Sequence, residues 1–129
     1  MLLNEIPFQD VIPIQGYGEN NFKINNKYYE GGIFIFTNII CKWNGFNDFS
    51  FSKFDISDMD IMFIGMGVKN KKPINKFKDF FIKKNIILEC FSTPTACRAY
   101  NVTISSHRKA GALLMPIKNL NSLILYLDL

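Results

Sequence analysis

The sequence predicts an α/β domain in which an N-terminal antiparallel β-meander leads into a mixed central sheet. Three observations carry this. Paired β-prone runs separated by turn residues fill the chain up to Trp43. An uninterrupted apolar run, Asp60-Ile61-Met62-Phe63-Ile64, then reads as a strand buried on both faces. After it, helical and strand-like segments alternate, as in parallel crossover units. The 129 residues suit one core, and no repeat, linker or compositional break divides them, so one domain over residues 1–129 is expected.

Each element has its own signal. Asn21–Ile24 and Lys27–Glu30 flank Asn25-Asn26, a pair that tolerates the positive φ angles of a tight hairpin. Gly31-Gly32 bends the chain into Ile33–Phe36, a strong β-former, and residues 39–43 return after Thr37-Asn38. The apolar run ends in Gly65-Met66-Gly67. Residues 73–85 read as a helix, with Pro73 in its first turn and Ile74, Phe77 and Phe81 on one buried stripe. Lys76, Lys83 and Lys84 face water. Residues 86–90 form the next strand. Thr93 caps a second helix with Pro94 in its first turn, running to Ser105 or His107. Residues 110–117 make a last apolar strand stopped by Pro116. The apolar tail, residues 123–129, docks as a helical turn or an edge strand.

Composition excludes several classes. Hydrophobic residues at 48% and charged residues at 20% describe an ordinary globular chain. The net charge of +4 is mild, and the basic residues are dispersed apart from Lys69, Lys71 and Lys72, so nucleic acid is not an expected partner. Trp43, Tyr17 and the Phe-rich stretch 46–54 offer rings for base stacking, but that stretch and its border carry Asp48 and Asp55 against one Lys, which fits apolar packing or a protein contact better. Cys41, Cys90 and Cys97 are odd in number and lack CxxC spacing, against a disulfide framework or a zinc site and in favour of a reducing compartment. The start, Met1-Leu2-Leu3-Asn4-Glu5, lacks the pattern of a secretory signal, and no apolar run is long enough to span a bilayer. A cytoplasmic location is expected.

Two segments are candidate sites. Gly65 and Gly67 follow a buried strand, where α/β sheets gather ligands; the same GxG also serves as a tight turn needing positive φ. In residues 93–108, Arg98, Asn101, Ser105 and Arg108 fall at i, i+3, i+7 and i+10, one polar stripe if the helix persists that far. Two guanidinium forks and an amide there would hold a carboxylate or phosphate, or else form a solvated face. Cys97 beside Arg98 invites a nucleophile reading. Its base would have to be His107, about 15 Å along the helix, so a buried, inert thiol fits better. Asp55, Asp58 and Asp60 lack a calcium-loop pattern and read as helix-capping acids in a loop. No catalytic set, metal cluster or cofactor motif is recognisable.

Taken in order, Ile14-Gln15-Gly16-Tyr17-Gly18, Phe22-Lys23-Ile24, Tyr29-Glu30-Gly31, Trp43, Ile64-Gly65-Met66-Gly67, Pro73, Ala96-Cys97-Arg98-Ala99-Tyr100-Asn101, Arg108 and Ala112-Leu113 resemble one family over residues 12–116. It is the small Mth-type single-domain family that includes mitochondrial complex I assembly factor three and the adipogenesis-associated domain protein. The resemblance implies three layers, β+α/β/α, with a β-subdomain packed on a mixed sheet. It implies no established enzymatic activity and no cofactor. It implies protein partners, namely respiratory subunits or assembly factors, and allows peripheral membrane association through them, self-association and a bacterial source. It also implies that Gly65, Gly67, Cys97, Arg98, Asn101 and Arg108 line a common region. The family often has Thr where this chain has Met66, and Glu-Gly where it has Ser106-His107. Losing that Glu removes a partner for Arg108 and weakens a catalytic reading.

The reading that results is a non-catalytic binding or assembly domain linked to biogenesis of NADH:ubiquinone oxidoreductase. The alternative is a small anionic metabolite-binding protein or an undescribed enzyme, using the Gly65–Gly67 turn with Arg98 and Arg108.

Overall fold

The computed structural model describes residues 2–5, 11–45, 55–68, 75–118 and 126–128. A six-stranded mixed sheet forms the centre. Its strands are β1 (Leu2–Glu5), β5 (Ile33–Phe36), β6 (Ile39–Lys42), β7 (Ile61–Gly65), β8 (Ile87–Phe91) and β9 (Ala110–Leu114), in the order β1-β6-β5-β9-β7-β8. Strand β7 runs parallel to both β8 and β9, whereas β5 is antiparallel to β9 and to β6, so the sheet is mixed as expected. A second, antiparallel sheet joins β2 (Gly16–Gly18), β3 (Asn21–Ile24), β4 (Lys27–Glu30) and β10 (Tyr126–Asp128), in the order β10-β2-β3-β4.

The meander is thus divided between two sheets. The β3–β4 hairpin turns at Asn25 and Asn26, with φ of 52° and 63°, the conformation the Asn pair was expected to supply. Beyond Gly31 the chain leaves the small sheet and contributes the β5–β6 hairpin to the large one. The tail docks as an edge strand: β10 pairs antiparallel with β2.

Side chains alternate across a strand, and here the alternation separates two cores. Ile33, Ile35, Ile61, Phe63, Ala112 and Leu114 face the small sheet and helix α2 (Thr93–Ser105). Phe34, Phe36, Met62, Ile64 and Leu113 face the opposite way, onto Phe77 and Phe81 of helix α1 (Asn75–Lys83). The layers are therefore small sheet plus α2, then the large sheet, then α1. Expected helix residues Pro73 and Ile74, and the Phe-rich stretch 46–54, lie outside the described residues. All five residues of β7 are buried, as its unbroken apolar run requires. Strand β8 is less enclosed, because it closes the sheet at an edge.

Helix α2 ends at Ser105, with Ser106 as C-cap. His107 adopts φ 63° and donates its N–H to Ile104, while Arg108 donates to Thr103. This is the paired closure that normally takes glycine at the left-handed position. It gives a backbone reason for the Gly found there in the resembling family. Replacing His107 with Gly relieves the left-handed conformation and is expected to stabilise the fold by about 0.5–1 kcal/mol, measured by chemical denaturation. A destabilised variant would contradict this account.

Candidate functional site

The carboxyl end of β7 is built around Thr93, which is fully buried. Its hydroxyl donates to the Met115 carbonyl at 2.6 Å and accepts the Gly67 N–H at 2.9 Å, while its own N–H donates to the Gly67 carbonyl at 2.7 Å. Met115 in turn donates to the Gly65 carbonyl at 2.8 Å. A Cβ on Gly65 would lie 2.9 Å from the Thr93 Cα and Oγ1, so only glycine lets the helix start sit this close to the strand. Gly67 carries φ 81°, a conformation suited to glycine. Its N–H and its carbonyl are both engaged by Thr93.

This corrects the expected role of Thr93 as the helix cap. The N-cap is Ser92, which makes no side-chain capping bond, and Thr93 is the first helical residue. Its hydroxyl ties the loops that follow β7 and β9 to the first turn of α2 instead.

Further along α2, the polar residues diverge. Asn101 accepts the Ile14 N–H through Oδ1 and donates to the Ile14 carbonyl through Nδ2, both at 2.8 Å. The amide thereby pairs with a backbone residue as a neighbouring strand would. Tyr100 is buried and donates its hydroxyl to the Ile12 carbonyl at 2.8 Å. Together these two residues clasp the segment leading into β2. Cys97 is buried beneath them, and burial pushes its thiol from 9.0 up to about 12, against a small opposing effect of Arg98. No thiolate forms near neutral pH, which agrees with the inert reading. Arg98 and Arg108 are exposed. The expected stripe stops with the helix: Arg108 follows the left-handed turn at His107, so it does not continue the spacing of Arg98, Asn101 and Ser105.

The exposed flank of α2 borders an open hollow of about 430 Å³ against the edge of the large sheet. Phe63 and Phe91 stack on its floor with ring centroids 6.4 Å apart. Arg98, Val102 and Glu89 complete its walls. Of the six residues expected to share a pocket, Arg98 is the one that lines this hollow. The hollow escaped the sequence because its parts are scattered over β7, β8 and α2. The sequence offered an apolar Val102 between polar Asn101 and Thr103, and only the structure shows it exposed.

Other candidates settle into packing or turns. Trp43 and Tyr17 are 1% and 6% exposed, so neither ring is available to a base. Asp55 accepts from both the N–H and the hydroxyl of Ser57; these bonds lower its pKa and cap a turn, not a helix. Asp60 accepts the Lys109 N–H, and Asp58 pairs with the Lys109 ammonium at 3.8 Å. Among the described residues no three His, Cys, Asp or Glu side chains cluster to hold a metal ion. No described helix is long and apolar enough to cross a membrane.

A family model described as a protein of unknown function (DUF498/DUF598) matches residues 14–115. The chain belongs to this family. An uncharacterized protein of Rhodobacter capsulatus is 30% identical over 117 residues, covering 91% of this chain and 94% of the relative. A solved structure titled as an outer membrane protein from Bartonella henselae superposes with a TM-score of 0.73 at 24% identity, covering 86% of this chain and 99% of that one. A Mth938-like domain from Bordetella pertussis gives 0.70 at 13% identity, with 92% and 94% covered. At these identities the DUF498/DUF598 chain shares a fold with both structures. The family match begins at Ile14, the residue clasped by Asn101, and ends at Met115, the residue held by Thr93.

Thr93→Val keeps the side-chain shape and leaves the Gly67 N–H and Met115 carbonyl without the hydroxyl. A loss of about 1–3 kcal/mol is expected in chemical denaturation, with Thr93→Ser closer to the parent. Equal stabilities for all three chains would remove the hydroxyl from this role.

Burial of Cys97 also sets an alkaline limit. Its folded pKa lies above the unfolded value, so the unfolded chain binds fewer protons between pH 9.0 and about 12. Stability is therefore complete below pH 9.0 and falls as pH rises through that window. Cys97→Ala is expected to flatten part of this decline in pH-resolved melting curves. Half-buried Cys90, raised by burial and by the neighbouring Glu89, and buried Tyr100, raised by burial, contribute to the same decline. An unchanged slope would show that Cys97 does not titrate with unfolding.

Proposed function

We propose that this DUF498/DUF598 chain is a non-catalytic binding or assembly-factor domain that works through protein partners. We propose further that those partners are respiratory subunits or assembly factors engaged in complex I biogenesis, met in the cytoplasm or at the membrane surface. The observation that carries the binding reading is the division of labour within α2. Thr93, Cys97, Tyr100 and Asn101 face inward and are buried or engaged with other parts of the chain. Arg98 and Val102 face outward over a hollow floored by two phenylalanines. An apolar hollow with a sparse charged rim suits a partner's side chain more than a reacting substrate. The complex I link rests on the resemblance in residues 12–116 to the family containing assembly factor three.

Co-purification of the tagged full-length chain at native expression tests both parts. Respiratory subunits or assembly factors should be enriched over an untagged control. Val102→Asp, at a position 65% exposed, should lower their recovery about tenfold without altering the melting temperature. Enrichment of unrelated partners would remove the complex I link. Recovery of none, together with stabilisation by anionic metabolites that Arg98→Ala abolishes, would replace the binding reading with a small-molecule one.

A further inference from the structure

We propose that the open edge of β8 is a docking strand for an extended segment of a protein partner, one that places a basic side chain opposite Glu89 and apolar side chains on either side of it. The proposal rests on the partner-binding reading and names the surface and the chemistry it recognises.

Hydrogen-bond direction identifies the free groups. Ile87 donates to Asp60, and Met66 donates to Phe91, in a regular parallel register from Ile61↔Ile87 to Gly65↔Phe91. In a parallel ladder, alternate residues turn both backbone groups to the same neighbour. Ile87, Glu89 and Phe91 therefore face β7. The N–H and carbonyl groups of Leu88 and Cys90 point away from the sheet, where no described strand lies. These four groups form a template for one added strand.

The other sheet edges carry features that discourage such pairing. Strand β1 slips register between Leu2 and Asn4, β4 exposes Lys27 and Glu30, and β10 is only three residues long. Strand β8 runs five residues without Pro, Gly or a bulge, and Glu89 is its one charge. Its face toward α2 carries Ile87, 52% exposed, then Glu89, then Phe91 at the mouth of the hollow. An incoming strand laid along this edge would bring alternate side chains between that face and the outer flank of α2.

Charge selects the occupant. In a second copy docked antiparallel through both Leu88 and Cys90, the two Glu89 carboxylates would stand directly opposite each other, an unfavourable pairing. A parallel second copy cannot close on itself. A different chain with Lys or Arg at the central position meets Glu89 favourably. Apolar residues two positions either side of that cation then lie beside Ile87 and Phe91.

The probe is the peptide Thr-Val-Thr-Lys-Thr-Val-Thr, titrated into the labelled full-length chain and followed by amide NMR. The expected result is that the Leu88 and Cys90 amides shift most and gain exchange protection. Glu89→Lys should weaken this peptide about tenfold and restore binding to the same peptide with Glu at its centre. Cys90→Pro removes an outward N–H without touching the β7 ladder and should abolish the response. No perturbation at Leu88 and Cys90, or a peptide preference that Glu89→Lys does not invert, overturns the proposal. Concentration-dependent shifts at these amides without peptide, lost in Cys90→Pro, would assign the edge to a second copy and also overturn it. The broader reading fails separately, when the unaltered chain recovers no partner. Partners recovered equally by the unaltered chain and both variants would keep that reading and refute this edge.

Discussion

The close approach of Gly65 to Thr93 is the contact on which the rest of the arrangement depends. A parallel crossover must bring the start of α2 back over the end of β7, and any side chain at residue 65 would hold it off. With glycine there, the buried Thr93 hydroxyl reaches both the Gly67 amide and the Met115 carbonyl. One side chain thereby fixes three segments: the turn after β7, the first turn of α2 and the exit from β9. Because each bond is made where water cannot compete, losing the hydroxyl would leave buried backbone groups without partners.

From that anchored start, α2 lies over β7 and β9, and its direction decides what each later residue meets. Tyr100 and Asn101 fall against residues 12–14 and tie the small sheet to the large one. Cys97 lies in the core between them. Arg98 and Val102, a turn apart on the other flank, overhang the edge strand β8. The same helix thus acts as a structural clasp on one side and as a wall of an open hollow on the other. The hollow exists because β8 extends the sheet beyond the width that α2 covers.

Much of the fold was legible in local sequence. Asn25-Asn26, the β-branched and aromatic run Ile33–Phe36, the unbroken apolar run of β7 and the Phe77/Phe81 spacing each report a local preference that the tertiary structure did not override. Strands β1 and β2 were not legible. Gly16–Gly18 has two glycines and almost no β-propensity, and it becomes a strand because β3 and β10 flank it. The candidate segment was expected as a helix capped by Thr93 and ending at Ser105 or His107; it is a helix, Thr93–Ser105, capped instead at Ser92, and the roles within it were not readable. Asn101 and Arg98 are both polar and three residues apart. Only the neighbour each meets distinguishes an amide engaged with Ile14 from an exposed guanidinium.

The sequence by itself determined the class of the domain, the places where the chain turns and the absence of a recognisable catalytic motif, because these follow from residue preferences acting over a few neighbours. The tertiary structure alone decided that the meander divides between two sheets, that Thr93 ties loops together, and that Cys97 is raised by burial. It alone decided that Leu88 and Cys90 turn their backbone groups outward beside an apolar hollow. Those outcomes depend on distance, enclosure and hydrogen-bond direction between segments up to 88 residues apart, which no local pattern encodes.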